Sequence, residues 1–243
     1  MKTADLIRVC DHTLYLDGRA MKVVVDLGMN KGEFSNWVVN NTDARCVGVE
    51  PVPSLYRTLP RGDRIEAEQA AVGATPGRQS LCVPREACAS LASAGLTQDG
   101  DRVEVEVITL DELMRSHRLE WIDLLKIDIE GAEIELLEGL DKETFARIGQ
   151  MTVEFHDFLR PRDRPRVAKV VARIRENGFY VVNFGRRHFT DVMCLNRAVF
   201  DVNLKLRARL AAAKYARGAR RVIARLSSAA VRSARGIEAA ASN

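Results

Sequence analysis

Val23-Val24-Val25-Asp26-Leu27-Gly28-Met29-Asn30-Lys31-Gly32 opens on three β-branched residues and closes on two glycines with three residues between them. β-Branched runs fit a pleated strand. An apolar helical pattern follows over 34–39. Strand, glycine turn and helix together form the repeating unit of a parallel sheet. The glycines let the backbone turn tightly and approach a ligand closely. The helix start beyond them supplies free N–H groups and partial positive charge. The spacing is not G-x-G-x-x-G, which argues against a dinucleotide fingerprint, and no Gly-Lys-Ser/Thr follows, so it is not a P-loop.

Further along, Cys46-Val47-Gly48-Val49 reads as a second strand ending at Glu50, 24 residues after Asp26. An acid at that place can accept both hydroxyls of a ribose. The pair fits a nucleoside ligand without a pyrophosphate. Beyond it the pattern predicts a short helix at 54–59 and a third strand at 65–72. Two half-exposed strands, 78–83 and 103–109, flank an Ala/Ser/Gly-rich segment at 84–101 that is long for a loop and fits a lid or binding loop. Helices at 110–116, 134–140 and 167–177 then alternate with strands at 122–127 and 151–155. The last strands, 180–184 and 192–195, read as antiparallel. The expectation is an α/β fold: a mostly parallel sheet with helices on both faces, and ligands outside the carboxyl ends of its strands.

The chain has 243 residues with a net charge of +4. That total hides a split. Residues 201–243 hold ten Lys/Arg against two Asp/Glu, whereas 1–200 are mildly acidic. We therefore expect a domain over 1–200 and a basic amphipathic helical tail over 201–243, its apolar stripe running through Leu204, Ala208, Ala211 and Tyr215. Such a tail suits peripheral contact with an anionic membrane or a partner subunit in a homo-oligomer. Nothing points to specific nucleic-acid binding. No apolar run is long enough to cross a bilayer, and 1–10 lacks a signal-peptide core. Five scattered cysteines without a C-x-x-C argue for free thiols in a reducing cytoplasm.

The most specific block is Lys126-Ile127-Asp128-Ile129-Glu130-Gly131-Ala132-Glu133, with Thr109-Leu110-Asp111-Glu112-Leu113 ahead of it and Leu136-Leu137-Glu138-Gly139-Leu140 behind. With the glycine loop and Glu50, it resembles the FkbM family of class I S-adenosylmethionine-dependent methyltransferases over about residues 21–157. The resemblance implies a Rossmann-like fold. It also implies O-methylation of a hydroxyl on a saccharide, glycolipid or secondary metabolite. By the same resemblance Asp26, Gly28, Asn30 and Gly32 hold the amino-acid part of S-adenosyl-L-methionine, Glu50 its ribose, and Gln69-Ala70 its adenine. Asp128 lies beside the transferable methyl group, with Glu154 and His156 on the same edge. Met29 and Lys31 depart from the small or apolar residues usual in the family.

A hydroxyl is a poor nucleophile until its proton is removed or a metal polarises it. Asp128, Glu154 and His156 are the candidates. One arrangement is Asp128 and Glu154 around magnesium; the other is His156 or Asp128 as a metal-free base. Lys126 reads as a buried partner for an acid, and Glu130 and Glu133 as acids at a helix start. Arg160 to Arg166 reads as a solvated loop, or as a contact for phosphate on a substrate carrier. His12, His117 and His188 have no motif context and read as ordinary surface or core residues. The alternatives are a catalytically idle binding or membrane-associated protein of the same fold, and a nicotinamide-dependent oxidoreductase.

Overall fold

The computed structural model describes residues 5–83, 101–185 and 188–218. Contacts divide the chain into two units, Met1–Asp201 and Val202–Asn243. The first unit holds a seven-stranded sheet. Its strands are β3 (Val23–Leu27), β4 (Arg45–Val49), β5 (Ile65–Glu68), β9 (Ile122–Ile127), β10 (Ile148–Val153), β11 (Phe179–Asn183) and β12 (Val192–Asn196), in the order β11-β12-β10-β9-β3-β4-β5. The five strands from β10 to β5 are parallel, and β12 runs against both of its neighbours. The chain is thus wound outward in both directions from β3, and the reversal of direction falls between β3 and β9. Ligand crevices form at such a switch point.

The strands form where the apolar runs are. Val24, Val25, Val47, Leu124, Leu125, Met151 and Val153 are fully or almost fully buried. Helices α1 (Glu33–Asn41), α2 (Pro53–Thr58), α3 (Leu110–Ser116), α4 (Glu133–Gly139) and α6 (Arg164–Glu176) lie between them in the chain. Separate apolar clusters form around Val24, Phe34 and Val38 and around Val25, Leu137 and Val170, so the sheet is covered on both faces. α3 begins with a full capping box between Thr109 and Glu112, which satisfies two otherwise orphaned N–H groups.

Three elements differ from the sequence expectation. The single strand expected at 65–72 is two strands. After Glu68 the chain leaves the main sheet, and β6 (Ala71–Val72) pairs instead with β8 (Asp101–Ile108), which also pairs with β7 (Gly77–Val83). The short helix α5 (Lys142–Ala146), capped by the Asp141 side chain, had no counterpart in the pattern. An N-terminal hairpin, β1 (Asp5–Val9) and β2 (His12–Leu16), was also missed. Its turn residues Cys10 and Asp11 both have positive φ, as a type I′ turn requires. Asn-Gly would have announced that turn; Cys-Asp does not. The expected binding loop at 84–101 falls almost entirely outside the described residues.

In the second unit, residues 204–218 are helical. Leu206 and Leu210 are its buried leucines, while Leu204, Ala208, Ala211 and Tyr215 are exposed. The rest of the expected tail lies outside the described residues. Among those described, no helix is long and apolar enough to cross a membrane.

Candidate functional site

The register of the parallel strands sets out the site. Asp26 of β3 pairs with Lys126 of β9, which pairs with Thr152 of β10. Side chains alternate between faces along a strand, so a polar row crosses three strands inside an apolar sheet. Lys126 Nζ lies 3.0 Å from Asp26 Oδ1 and donates to the Gly28 carbonyl at 2.6 Å. Ser35 donates to the other Asp26 oxygen at 2.7 Å. Burial alone would drive the Lys126 ammonium to lose its proton, but Asp26 and Asp128 outweigh it and raise its pKa above the ordinary lysine value. Lys126 is thus the cation that allows Asp26 to be fully buried, and it ties the glycine loop to the sheet.

Beyond the strand ends, Gly28 has φ +83°, and a Cβ there would run into the Asp128 carbonyl. Only glycine lets these two crossovers approach so closely. Asn30, also at positive φ, turns its N–H to Glu50 Oε2 at 2.8 Å, and Val52 N–H donates to Oε1 at 3.0 Å. Burial raises the Glu50 pKa, and these two hydrogen bonds oppose the rise. Gly28, Asn30, Glu50 and Asp128 line one open cleft, together with apolar walls from Pro51, Leu55, Val72 and Leu81 and the Gln79 amide. Asp26 lies beneath this cleft in the polar row. Gly32 starts α1 at φ +75°, packed on Pro60. Gln69 is exposed and Ala70 belongs to the apolar core, and the wall at this point is instead Ala71 and Val72. Met29 fills the space left by Gly48, and Lys31 faces solvent.

Asp128 is the junction of a second set of groups. Its carboxylate lies 3.6 Å from Lys126 Nζ, 3.6 Å from His12 Nε2 and 3.9 Å from His156 Nε2. Burial would raise its pKa, but the neighbouring His12 ring, Lys126 and His156 hold it down at about 2. His156 sits between Glu133, at 2.9 Å from Nδ1, and Glu130, at 3.2 Å from Nε2. Burial opposes its protonation, yet these carboxylates push its pKa up to about 11. Glu133 Oε1 also accepts the Ile129 and Gly131 N–H groups at 3.2 and 2.9 Å, so it braces the loop. Glu154 is pushed up to about 7, first by burial and then by the Asp128 charge.

These values separate the three expected bases. His156 is already protonated at neutral pH, and Asp128 is a weak base. Glu154 is poised near neutrality, where a general base works best. The His156 pair also has a stability consequence. Its folded pKa lies above the ordinary value of 6.5. Its contribution is therefore complete below about pH 6.5 and is lost as pH rises toward 11. Urea unfolding at pH 6, 8 and 9.5 should show His156→Gln losing its deficit against the wild type as pH increases. A deficit independent of pH would mean that the pair contributes nothing.

Sequence reasoning missed His12. It is fully buried, its Nδ1 lies 3.2 Å from Thr152 Oγ1, and it arrives from the unread hairpin. The groups His12, Asp128 and Glu154, and also Asp128, Glu130 and His156, bring possible ligand atoms within 4.8 Å of one another. Each set includes a histidine nitrogen, and Lys126 stands against Asp128, so nothing in either set favours magnesium, which prefers oxygen ligands. Of the arginine loop, Arg160, Arg164 and Arg166 are within salt-bridge distance of Asp163, Asp157 and Glu138.

A crevice at the switch point, an acid at the end of β4 and a carboxylate cluster at the ends of β9 and β10 make an α/β domain with an open cleft at its strand ends. The methyltransferase FkbM domain model matches residues 26–181, and the chain belongs to that family. Methyltransferase sdnD of Sordaria araneosa is 27% identical over 168 residues, covering 54% of this chain and 65% of that protein. The 31-O-demethyl-FK506 methyltransferase FkbM of Streptomyces tacrolimicus is 34% identical over 89 residues, 37% of this chain and 32% of that protein. The chain thus spans less than two thirds of either relative. A solved structure named as a methyltransferase from an antibiotic biosynthesis pathway of Anabaena variabilis matches 57% of this chain and 40% of its own at 14% identity and a TM-score of 0.28, too slight a likeness to bear on the fold.

Proposed function

We propose that the protein is an S-adenosylmethionine-dependent O-methyltransferase acting on a hydroxyl of a saccharide, glycolipid or secondary metabolite. The observation that carries this reading is that Glu50 lines the same cleft as Gly28 and Asp128. The Glu50 carboxylate keeps lone pairs for two ribose hydroxyls while its N–H bonds hold it still. The apolar walls at Pro51, Leu55, Val72 and Leu81, with the Gln79 amide, suit a purine. The name of the Streptomyces relative, an O-methyltransferase acting on demethyl-FK506, supports transfer to oxygen.

S-adenosylmethionine, when bound, supplies a methyl group on a positively charged sulfur. Transfer breaks the sulfur–carbon bond as the acceptor oxygen bonds to that carbon, leaving a neutral thioether. The hydroxyl proton must leave, and Glu154 takes it in this reading. Asp128 stays ionised and would stabilise the positive sulfur of a bound donor. Protonated His156 and Glu133 hold the loop that carries Asp128 and Glu130.

Calorimetric titration with S-adenosylhomocysteine, NAD and NADP, with and without magnesium, tests the site. Binding of S-adenosylhomocysteine alone is the expected result, and preference for a dinucleotide would overturn the reading. With an acceptor found by screening glycans and metabolites, turnover should rise with pH through about 7, as Glu154 loses its proton. Glu154→Gln should lose at least about a hundredfold in rate while keeping its affinity for S-adenosylhomocysteine. A Gln variant with the wild-type rate and profile removes Glu154 as the base.

A further inference from the structure

His12 lies outside the family-matched segment 26–181, yet its ring reaches the carboxylate cluster. We propose that His12 is a positioning residue of the reaction site, a hydrogen-bond donor that fixes the Asp128 carboxylate toward the cationic sulfur of the methyl donor. This rests on the reading of the cleft as an S-adenosylmethionine site.

The hairpin is anchored as a device for placing this ring would have to be. Thr13, the next residue, gives its N–H and hydroxyl to the buried Asp191 at 2.9 and 2.6 Å. Tyr15 and the Gln150 side chain exchange two further bonds, at 2.8 and 3.2 Å. The ring packs edge-on against Phe34. Between these anchors each ring nitrogen has a polar neighbour within 4 Å, and a Glu154 oxygen lies within 4.8 Å of the ring. Nδ1 meets Thr152 Oγ1 at 3.2 Å. Nε2 is buried, has no hydrogen-bond partner within bonding distance, and faces Asp128 Oδ2 at 3.6 Å.

The position of the ring proton follows from these neighbours. With the proton on Nδ1 alone, the buried Nε2 lone pair would face an ionised carboxylate and go unsatisfied. With a proton on Nε2, the ring donates toward Asp128 while the Thr152 hydroxyl meets Nδ1. The second arrangement gives each ring nitrogen a complementary neighbour. Lys126 stands 3.6 Å from the same Asp128 oxygen, so Oδ2 is flanked from two sides, while Oδ1 lies 3.9 Å from His156 Nε2.

The positive charge on the donor sulfur disappears on transfer. The ratio of affinities for S-adenosylmethionine and S-adenosylhomocysteine therefore reports what Asp128 does for the sulfonium, without an acceptor. Both affinities are to be measured by calorimetry at pH 7.5 on the full chain. His12→Leu should lower the affinity for S-adenosylmethionine by about tenfold, the worth of one hydrogen bond to a charged group, and leave S-adenosylhomocysteine within about twofold. His12→Gln, whose amide N–H falls near the position of Nε2, should keep the wild-type ratio. Asp128→Asn should lower the ratio at least as far as His12→Leu. If Asp128→Asn leaves the ratio unchanged, the donor is not seated as proposed. If Asp128→Asn lowers it and His12→Leu does not, the role of His12 alone is wrong. Equal loss of both ligands in His12→Leu would reduce His12 to a packing residue. Imidazole ¹⁵N spectra of the wild-type protein provide a check independent of any variant. A protonated Nε2 is expected, and a bare Nε2 would overturn the proposal and recast His12 as a metal ligand.

Discussion

Glu50→Ala should weaken S-adenosylhomocysteine binding by roughly 10²–10³-fold, the equivalent of two hydrogen bonds to a charged acceptor. Two effects combine. The ribose hydroxyls lose their acceptor, and the N–H groups of Asn30 and Val52 lose the carboxylate that holds them. Glu50→Gln separates the two. The amide keeps one acceptor oxygen and nearly the same shape, so the loss should be only about tenfold. Because Glu50 sits at the cleft and not in the apolar core, urea unfolding should report a smaller change than ligand titration does. Unchanged affinity in Glu50→Ala would remove the ribose assignment and with it the main support for the donor site.

Lys126→Met should destabilise the fold by about 3–5 kcal/mol, the usual result of removing one partner from a buried pair. Asp26 would remain fully buried with the Ser35 hydroxyl as its remaining close partner, and the Gly28 carbonyl would lose its donor. Replacing both charges, as in Asp26→Val with Lys126→Met, should recover a large part of the loss, because no uncompensated charge is then left inside. Donor affinity should not return with stability in the double variant, since the glycine loop stays untied from Lys126. A loss below about 1 kcal/mol in the single variant would show that the pair is not carrying the row it occupies.

How much of this could be read in the sequence differs from element to element. The strands β3, β4 and β9 could be read because each is a short apolar run bounded by a glycine or an acid, and burial on both faces leaves no other use for such runs. The glycine loop, Glu50 and Asp128 followed from them, since strand ends in a parallel sheet are where chemistry collects. Gln69 and Ala70 could be numbered but not oriented. The strand read through them ends at Glu68, and the chain changes sheets there, a choice set by pairing with β8 and not by local pattern. His12 could not be found at all. Its hairpin turn lacks glycine and asparagine, and its partners Thr152 and Asp128 lie more than a hundred residues away.

The sequence by itself determined the fold class and the family, because periodicity, glycine spacing and the block from Lys126 to Glu133 are local properties of the chain. Only the tertiary structure set the ionisation of the three candidate bases. The ionisation of Glu154, His156 and Asp128 depends on burial and on charges from other strands within a few ångströms. Coulomb energy varies with distance in space and with the local dielectric, and neither is written in the order of the residues.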